Sequence, residues 1–397
     1  MNKVSYDAQV DAVLHGNNSD VITRLRRRFD EAAGPARDKL ILFGLGWLGK
    51  TTLARLQAAG IEPIALSDNN AKLWNTELGG VPVLSPEEAV RRFGSTATFV
   101  VTVFNPSPPL AQLLKMGAAH VVHFALLYWK HADTMLPLAN LAVPSGWDLA
   151  ADQIHAAYDL LGDESSRQEF LAQLQWRLTL DSSALPPPQP AADTYFPHDL
   201  LQLNSHEVFV DCGAFDGDTL RDIVRRTGGK FERCFLFEPD PDNCLRLKNC
   251  VGNLEPRLRE RVVVQQLAVG SEPGTLKFAA TGTAGSTATA GDGIEVECQT
   301  LDAALAGCDP TYIKMDIEGA EISALQGAAQ VLLRDEPILA ICLYHKPEDL
   351  WEIPLLVNRL NPGYRLFLRR YAEDCWETVL YAITPRRAGN LDATAKT

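Results

Sequence analysis

The chain has 397 residues, 46% hydrophobic and 22% charged, a balance that suits two or three globular domains and excludes collagen, coiled coil and wholesale disorder. Fifty acidic against 37 basic side chains give a net charge of −13, which repels phosphate backbones and sets nucleic acid aside as a partner. No apolar run reaches about 18 residues and no cationic-then-apolar opening is present, so a cytoplasmic protein with neither membrane span nor secretory leader is expected.

In chain order, the first thirty-odd residues predict a helix. Asp20 suits its cap, and Ile22, Leu25 and Phe29 share one face. Arg24, Arg26, Arg27 and Arg28 read as its solvated surface. From Lys39 the pattern alternates. Leu40–Phe43, Pro63–Ser67, Thr98–Val103 and His120–Phe124 predict strands. Residues 44–60 predict a loop and helix, and Ser85-Pro86 a capped helix start. Helical spacing returns over about 148–180, with Ile154, Tyr158, Leu161, Phe170, Leu174 and Leu178. Leu185-Pro-Pro-Pro-Gln-Pro190 is a stiff extended linker.

A second alternation follows. Val208–Val210, Cys234–Phe237, Val262–Val264, Tyr312–Met315 and Ile338–Cys342 predict strands, and Tyr364–Leu368 with Thr378–Ile383 a terminal hairpin. The expected architecture is α/β, with two Rossmann-like doubly wound domains joined by a helical connector. The segments are a helical start (1–36), a nucleotide-binding domain (37–145), connector and linker (146–200), a second α/β domain (201–386) and a tail (387–397). The eight cysteines all follow residue 211. Without CxxC or zinc spacing, they read as reduced, buried thiols.

Two glycine turns carry the chemistry. Gly44-Leu-Gly46-Trp-Leu-Gly49 follows a predicted strand and opens a predicted helix, with Asp68 a further 19 residues on, at the end of the next strand. This is the dinucleotide fingerprint in context. Gly44 and Gly46 allow a tight turn and close backbone approach, the helix N-terminus faces a phosphate, and Asp68 faces ribose hydroxyls. A sheet that keeps the turn without a cofactor reads the same. Ile64-Ala-Leu-Ser-Asp68-Asn-Asn and Gly80-Val-Pro-Val-Leu-Ser-Pro-Glu-Glu-Ala89 resemble the small Rossmann-like domain preceding some bacterial sugar acetyltransferases, over about residues 38–125. The resemblance implies a nucleotide-sugar as a ligand alongside NAD.

In the second turn, the strand Val208-Phe-Val runs into Asp211-Cys-Gly213-Ala214-Phe215-Asp216-Gly217, and Glu238 ends the next strand 21 residues on. The pattern suits S-adenosylmethionine. The turn admits the methionyl part, Asp211 holds its ammonium end directly or through water, and Glu238 takes both ribose hydroxyls. Gln266-Leu-Ala268-Val-Gly270, Thr300-Leu-Asp302, Ile313-Lys-Met-Asp316-Ile-Glu318-Gly-Ala-Glu321 and Tyr344-His345-Lys-Pro-Glu-Asp349 follow in order. Together these motifs resemble the FkbM family of methyltransferases over about residues 205–384. The resemblance implies a class I methyltransferase fold and S-adenosylmethionine-dependent transfer to a hydroxyl of a sugar, glycan or related natural product, as in polysaccharide biosynthesis. Within it, Asp211, Gly213, Ala214, Phe215, Asp216, Glu238, Ala268 and Asp316 are the expected cofactor residues. Ala284-Gly285-Ser286-Thr287 stands where the family often carries a serine pair.

Transfer to an alcohol needs its oxygen oriented and its proton removed. His345, closing the fifth strand, is the expected base, with Asp316 the alternative. Asp316 with Glu318 or Glu321, and His345, is also a set suited to a magnesium-type ion, which leaves a divalent metal open. Glu321 fits a cap or pair on the following helix. Trp351 fits core or a sugar-stacking face. The alternative readings are an NAD(P)-dependent oxidoreductase or nucleotide-sugar-binding protein using Gly44, Gly46, Gly49 and Asp68, or a non-catalytic interaction protein, which intact Asp211, Gly213, Glu238 and His345 disfavour. The expected partner is a small-molecule or glycan acceptor; the oligomeric state is open.

Overall fold

The computed structural model describes residues 10–11, 21–143, 147, 149–283, 285–288, 291 and 293–387. The Asp20 cap, most of residues 1–20, Ala284 and the tail from residue 388 lie outside the described residues. The chain folds into two units. One comprises 1–151, 169–188 and 372–376; the other comprises 152–168, 189–371 and 377–397. The chain crosses between the units at 151–152, 168–169, 188–189, 371–372 and 376–377, the third of these within the proline-rich stretch.

The first unit holds β1 (Leu40–Phe43), β2 (Ala65–Ser67), β3 (Glu77–Leu78), β4 (Val81–Leu84), β5 (Thr98–Val101) and β6 (His120–His123) in the order β3-β4-β2-β1-β5-β6. All neighbours are parallel except β3 and β4. β1, β2 and β5 are buried along their whole length, as continuous apolar runs in a parallel sheet should be. The helix Pro86–Phe93 begins as expected, with Ser85 Oγ accepting from Glu88 N.

The helix Val21–Ala33 corrects two expectations. It buries Val21, Leu25, Phe29 and Ala33, a strict four-residue stripe, and leaves Ile22 41% exposed on the adjoining face. Its arginines are not simply solvated. Arg24 and Arg28 donate to the carbonyls of Leu178 and Thr179, which end the helix Glu164–Thr179 and lack intrahelical donors.

The second unit holds β7 (Val208–Cys212), β8 (Arg233–Phe237), β9 (Val262–Gln265), β10 (Ala268–Val269), β11 (Gly274–Ala279), β12 (Thr287–Ala288), β13 (Ile294–Gln299), β14 (Tyr312–Met315), β15 (Ile338–Cys342), β16 (Arg365–Arg370) and β17 (Thr378–Ile383). The main sheet runs β16-β17-β15-β14-β7-β8-β9, parallel but for the expected terminal hairpin. Its order reverses between β7 and β14, and ligands bind such sheets beyond the carboxyl ends at that point. A second sheet, β10-β13-β11-β12, went unanticipated, although Ile294-Glu-Val-Glu-Cys-Gln299 alternates apolar and polar residues and buries Val296 and Cys298.

The eight cysteines are free, six of them buried. Trp351 is core, 2% exposed. Among the described residues, no helix is long and apolar enough to cross a membrane.

Candidate active site

The turn after β7 is built around Gly213. Its φ is +81°, and a Cβ there would lie 1.9 Å from the Asp316 carbonyl oxygen, so only glycine lets β7 and β14 run on side by side. Gly213 N donates to Phe237 O at 3.0 Å and Ala214 N to the same oxygen at 3.1 Å. Glu238 then fixes the loop: Oε2 accepts from Phe215 N at 2.9 Å, and Oε1 from Asp240 N at 2.9 Å. Burial raises the Glu238 carboxyl, and these amides oppose the shift. Asn243 Nδ2 also donates to Oε1 at 3.5 Å, which leaves the free lone pair on Oε2. Phe215 is left-handed at φ +46°, and Arg246 lies over its ring. Asp216 is tied to Arg221 at 2.8 Å. Ala268 opens β10, half-buried and paired with Cys298. Ser286 Oγ donates to Asp240 Oδ2 at 2.7 Å, which gives this member of the variant loop a structural anchor.

Asp211 pairs within the chain. Its carboxylate is fully buried and faces Lys314, its register partner on β14, at 2.9 Å. The chain's own ammonium thus pairs with this buried carboxylate at Oδ1, while Oδ2 takes no hydrogen bond from the described residues. Lys314 Nζ also donates to Gly213 O at 2.8 Å and lies over the Tyr195 ring. Burial pushes Asp211 up to about 6, against the pull of Lys314. Burial lowers Lys314, but Asp211 and Asp316 outweigh it and hold the amine charged.

Asp316, just past β14, accepts from Tyr195 Oη at 2.9 Å and Tyr344 Oη at 3.1 Å. Burial raises its carboxyl, but His345 and Lys314 more than reverse that and hold it well below the usual range. His345 sits between carboxylates: Nδ1 is 2.9 Å from Glu321 Oε1, and Nε2 is 3.2 Å from Asp316 Oδ1 and 3.9 Å from Glu318 Oε2. Burial lowers the ring, and Glu321 and Asp316 overcome it, leaving the imidazole raised well above its ordinary value.

The surrounding acids thus favour the protonated ring over the neutral base expected of His345. An imidazolium facing acids with both nitrogens has no lone pair to offer. The constant charge on Asp316 makes it an equally weak proton acceptor. The metal set is not assembled either: among the described residues no three such side chains are arranged to hold an ion. Glu321 instead accepts from Ile317 N at 2.9 Å and pairs with His345 at the start of the helix Glu321–Gln326.

Sequence reading missed Lys314 and Tyr195. A lone lysine inside the apolar run Tyr312-Ile-Lys-Met315 was the available signal for the first. Tyr195 had none, falling in the predicted connector yet folding with the second unit.

In the first unit Gly44 is left-handed at φ +100°, its N donating to Ser67 O at 2.9 Å. A Cβ on Gly49 would lie 1.9 Å from Gly44 O, whereas Gly46 has nothing within 4 Å. Asp68 accepts from Leu45 N at 2.6 Å and Asn70 N at 2.7 Å.

Residues 211–374 match the family model described as the methyltransferase FkbM domain. The crystal structure of methyltransferase FkbM from Methylobacillus flagellatus KT superposes with a TM-score of 0.71 at 24% identity, covering 96% of this chain and 100% of that one. Its fold thus extends over both units. Two looser fits are fibrillarin from Aeropyrum pernix in complex with S-adenosyl-L-methionine (TM-score 0.30, 11% identity, 46% and 70% covered) and a Streptococcus mutans protein in complex with SAH (0.31, 12%, 50% and 99%). No curated protein matches the chain. Residues 211–374 thus resemble an FkbM methyltransferase domain, in a chain that shares the fold of an FkbM methyltransferase.

Proposed function

We propose that the protein is a cytoplasmic S-adenosylmethionine-dependent O-methyltransferase acting on a hydroxyl of a sugar or glycan, as in polysaccharide biosynthesis. The observation that carries the cofactor is the Gly213 turn with Glu238 held against it by the Phe215 and Asp240 amides. A buried carboxylate fixed by two backbone amides and Asn243, with a lone pair remaining on Oε2, fits a ribose hydroxyl. When bound, S-adenosylmethionine supplies a methyl group on a sulfonium sulfur.

The chain's own residues hold and orient. Gly213 to Phe215 present backbone to the methionyl part. Asp211 acts through Lys314, which fastens the Gly213 carbonyl. Asp316 is a fixed negative charge at the carboxyl edge, and His345 positions it. The carbohydrate acceptor is favoured by the first unit, where Gly44, Gly49 and Asp68 form an intact turn and Gly46 leaves open backbone for the phosphate of a nucleotide-sugar or NAD.

Calorimetry with S-adenosylmethionine tests the cofactor; an absence of binding heat sinks the assignment. Mass spectrometry of surface polysaccharide from a strain lacking the protein tests the acceptor, and an unchanged pattern of methyl ethers removes the glycan.

A further inference from the structure

We infer that Glu318 is the catalytic residue that takes the proton from the acceptor hydroxyl. The inference rests on the proposed transfer to an alcohol.

A proton acceptor needs a free lone pair and access to substrate. The other groups at this edge lack one or the other. Asp211 is enclosed with Lys314. Asp316 already receives two phenol hydroxyls and faces His345. Glu321 is buried, holding Ile317 N and His345. Asp349 is buried and holds Lys346 N. Glu318 differs: its side chain is 33% exposed, no described residue donates a hydrogen bond to its carboxylate, and the cation facing it is His345 Nε2 at 3.9 Å.

Backbone strain lies at the same residue, as it does at Glu377. Glu318 is left-handed at φ +54°, followed by Gly319 at φ +93°. A non-glycine residue there is strained and persists only where surroundings enforce it, which is common at functional sites. Thr287 Oγ1 clamps the Glu318 carbonyl at 3.0 Å, and Lys346 Nζ donates to Gly319 O. The turn therefore aims a carboxylate at the sheet edge beside Asp316.

The charged groups around Glu318 are Asp316, Glu321, Glu377 and His345, with Lys346 against Gly319. Burial pushes the Glu318 carboxyl up to about 7, Asp316 and Glu321 add to the rise, and His345 opposes it. A carboxylate so placed accepts a proton near neutral pH. In the step, the hydroxyl proton passes to Glu318 while the acceptor oxygen bonds the methyl carbon. The carbon–sulfur pair stays on sulfur. The products are a methyl ether and S-adenosylhomocysteine, and Glu318 returns its proton to water.

The test compares Glu318→Gln, Glu318→Asp and Glu377→Gln, the last removing the other half-buried acid near His345. S-adenosylmethionine affinity by calorimetry should stay within about 3-fold for Glu318→Gln. Infrared spectra from about pH 5 to pH 9 should show a carboxyl band titrating near neutrality that Glu318→Gln abolishes. Labelled methyl transfer to a panel of methyl hexopyranosides should fall about 10²–10⁴-fold in Glu318→Gln and recover in part in Glu318→Asp. Retained transfer, or an unchanged titrating band, overturns the inference; so does a loss confined to Glu377→Gln. If the unmutated protein methylates none of the glycosides, the infrared arm decides. An unmutated protein that fails to bind S-adenosylmethionine sinks the cofactor reading itself.

Discussion

The two units build the same turn from different chemistry. In each, a left-handed glycine after the first strand donates its N–H to the last residue of the second, Gly44 to Ser67 and Gly213 to Phe237. In each, an acid one residue further on accepts a loop amide, Asp68 from Leu45 and Glu238 from Phe215. In each, the strand beside the turn satisfies the glycine carbonyl. The first unit does so with a hydroxyl, Thr102 Oγ1 to Gly44 O at 2.7 Å. The second does so with an ammonium, Lys314 Nζ to Gly213 O at 2.8 Å, over the buried Asp211. A hydroxyl suffices to make the turn. Burying an ion pair for the same bond costs desolvation without a matching gain in stability. The charge in the second unit therefore belongs to its chemistry, where it continues through Asp316 into His345 and Glu321.

The largest expected effect breaks that contrast directly. Lys314→Met leaves Asp211 buried without a partner and should cost about 3–5 kcal/mol in urea unfolding, more at alkaline pH, where the acid cannot take up a proton. Lys314→Met with Asp211→Leu should recover most of it. Thr102→Val should cost only about 1–2 kcal/mol. Equal losses at the two sites would erase the distinction.

Next come the two acids. Glu238→Ala should weaken S-adenosylmethionine binding by about 1.5–3 kcal/mol, the scale of hydrogen bonds to a charged group, while Asp68→Ala leaves it unchanged. Calorimetry on both variants decides whether the turns serve separate ligands.

Gly46 sharpens the comparison further, being the one fingerprint glycine with open space around it. Gly46→Val should abolish thermal-shift responses to NAD or a uridine diphosphate sugar, yet move the unliganded melting transition by the equivalent of less than about 1 kcal/mol. If the unmutated protein responds to neither nucleotide, the first turn is a structural one.

The smallest effect concerns His345. Its folded value is raised above the unfolded one, so its linked stabilisation is whole below about pH 6.5 and is lost as pH climbs toward the folded value. Nitrogen NMR at neutral pH should find both ring nitrogens protonated. A neutral ring there would restore His345 as a base.

What the sequence by itself determined is local. Strand–helix alternation, both glycine turns and the acids Asp68 and Glu238 are legible because each βαβ unit is contiguous, and its spacing places the acid beside the turn. Helix faces were legible only to within one residue, as Val21 and Ile22 show. The tertiary structure decided what depends on distance across the chain. Pairing of β7 with β14 set Lys314 on Asp211, folding of residue 195 with the second unit set a phenol on Asp316, and acids facing both nitrogens of His345 raised its affinity for a proton. A residue's type fixes its ordinary affinity for a proton. Burial and the charges within a few ångströms fix the working one, and only the fold places those charges.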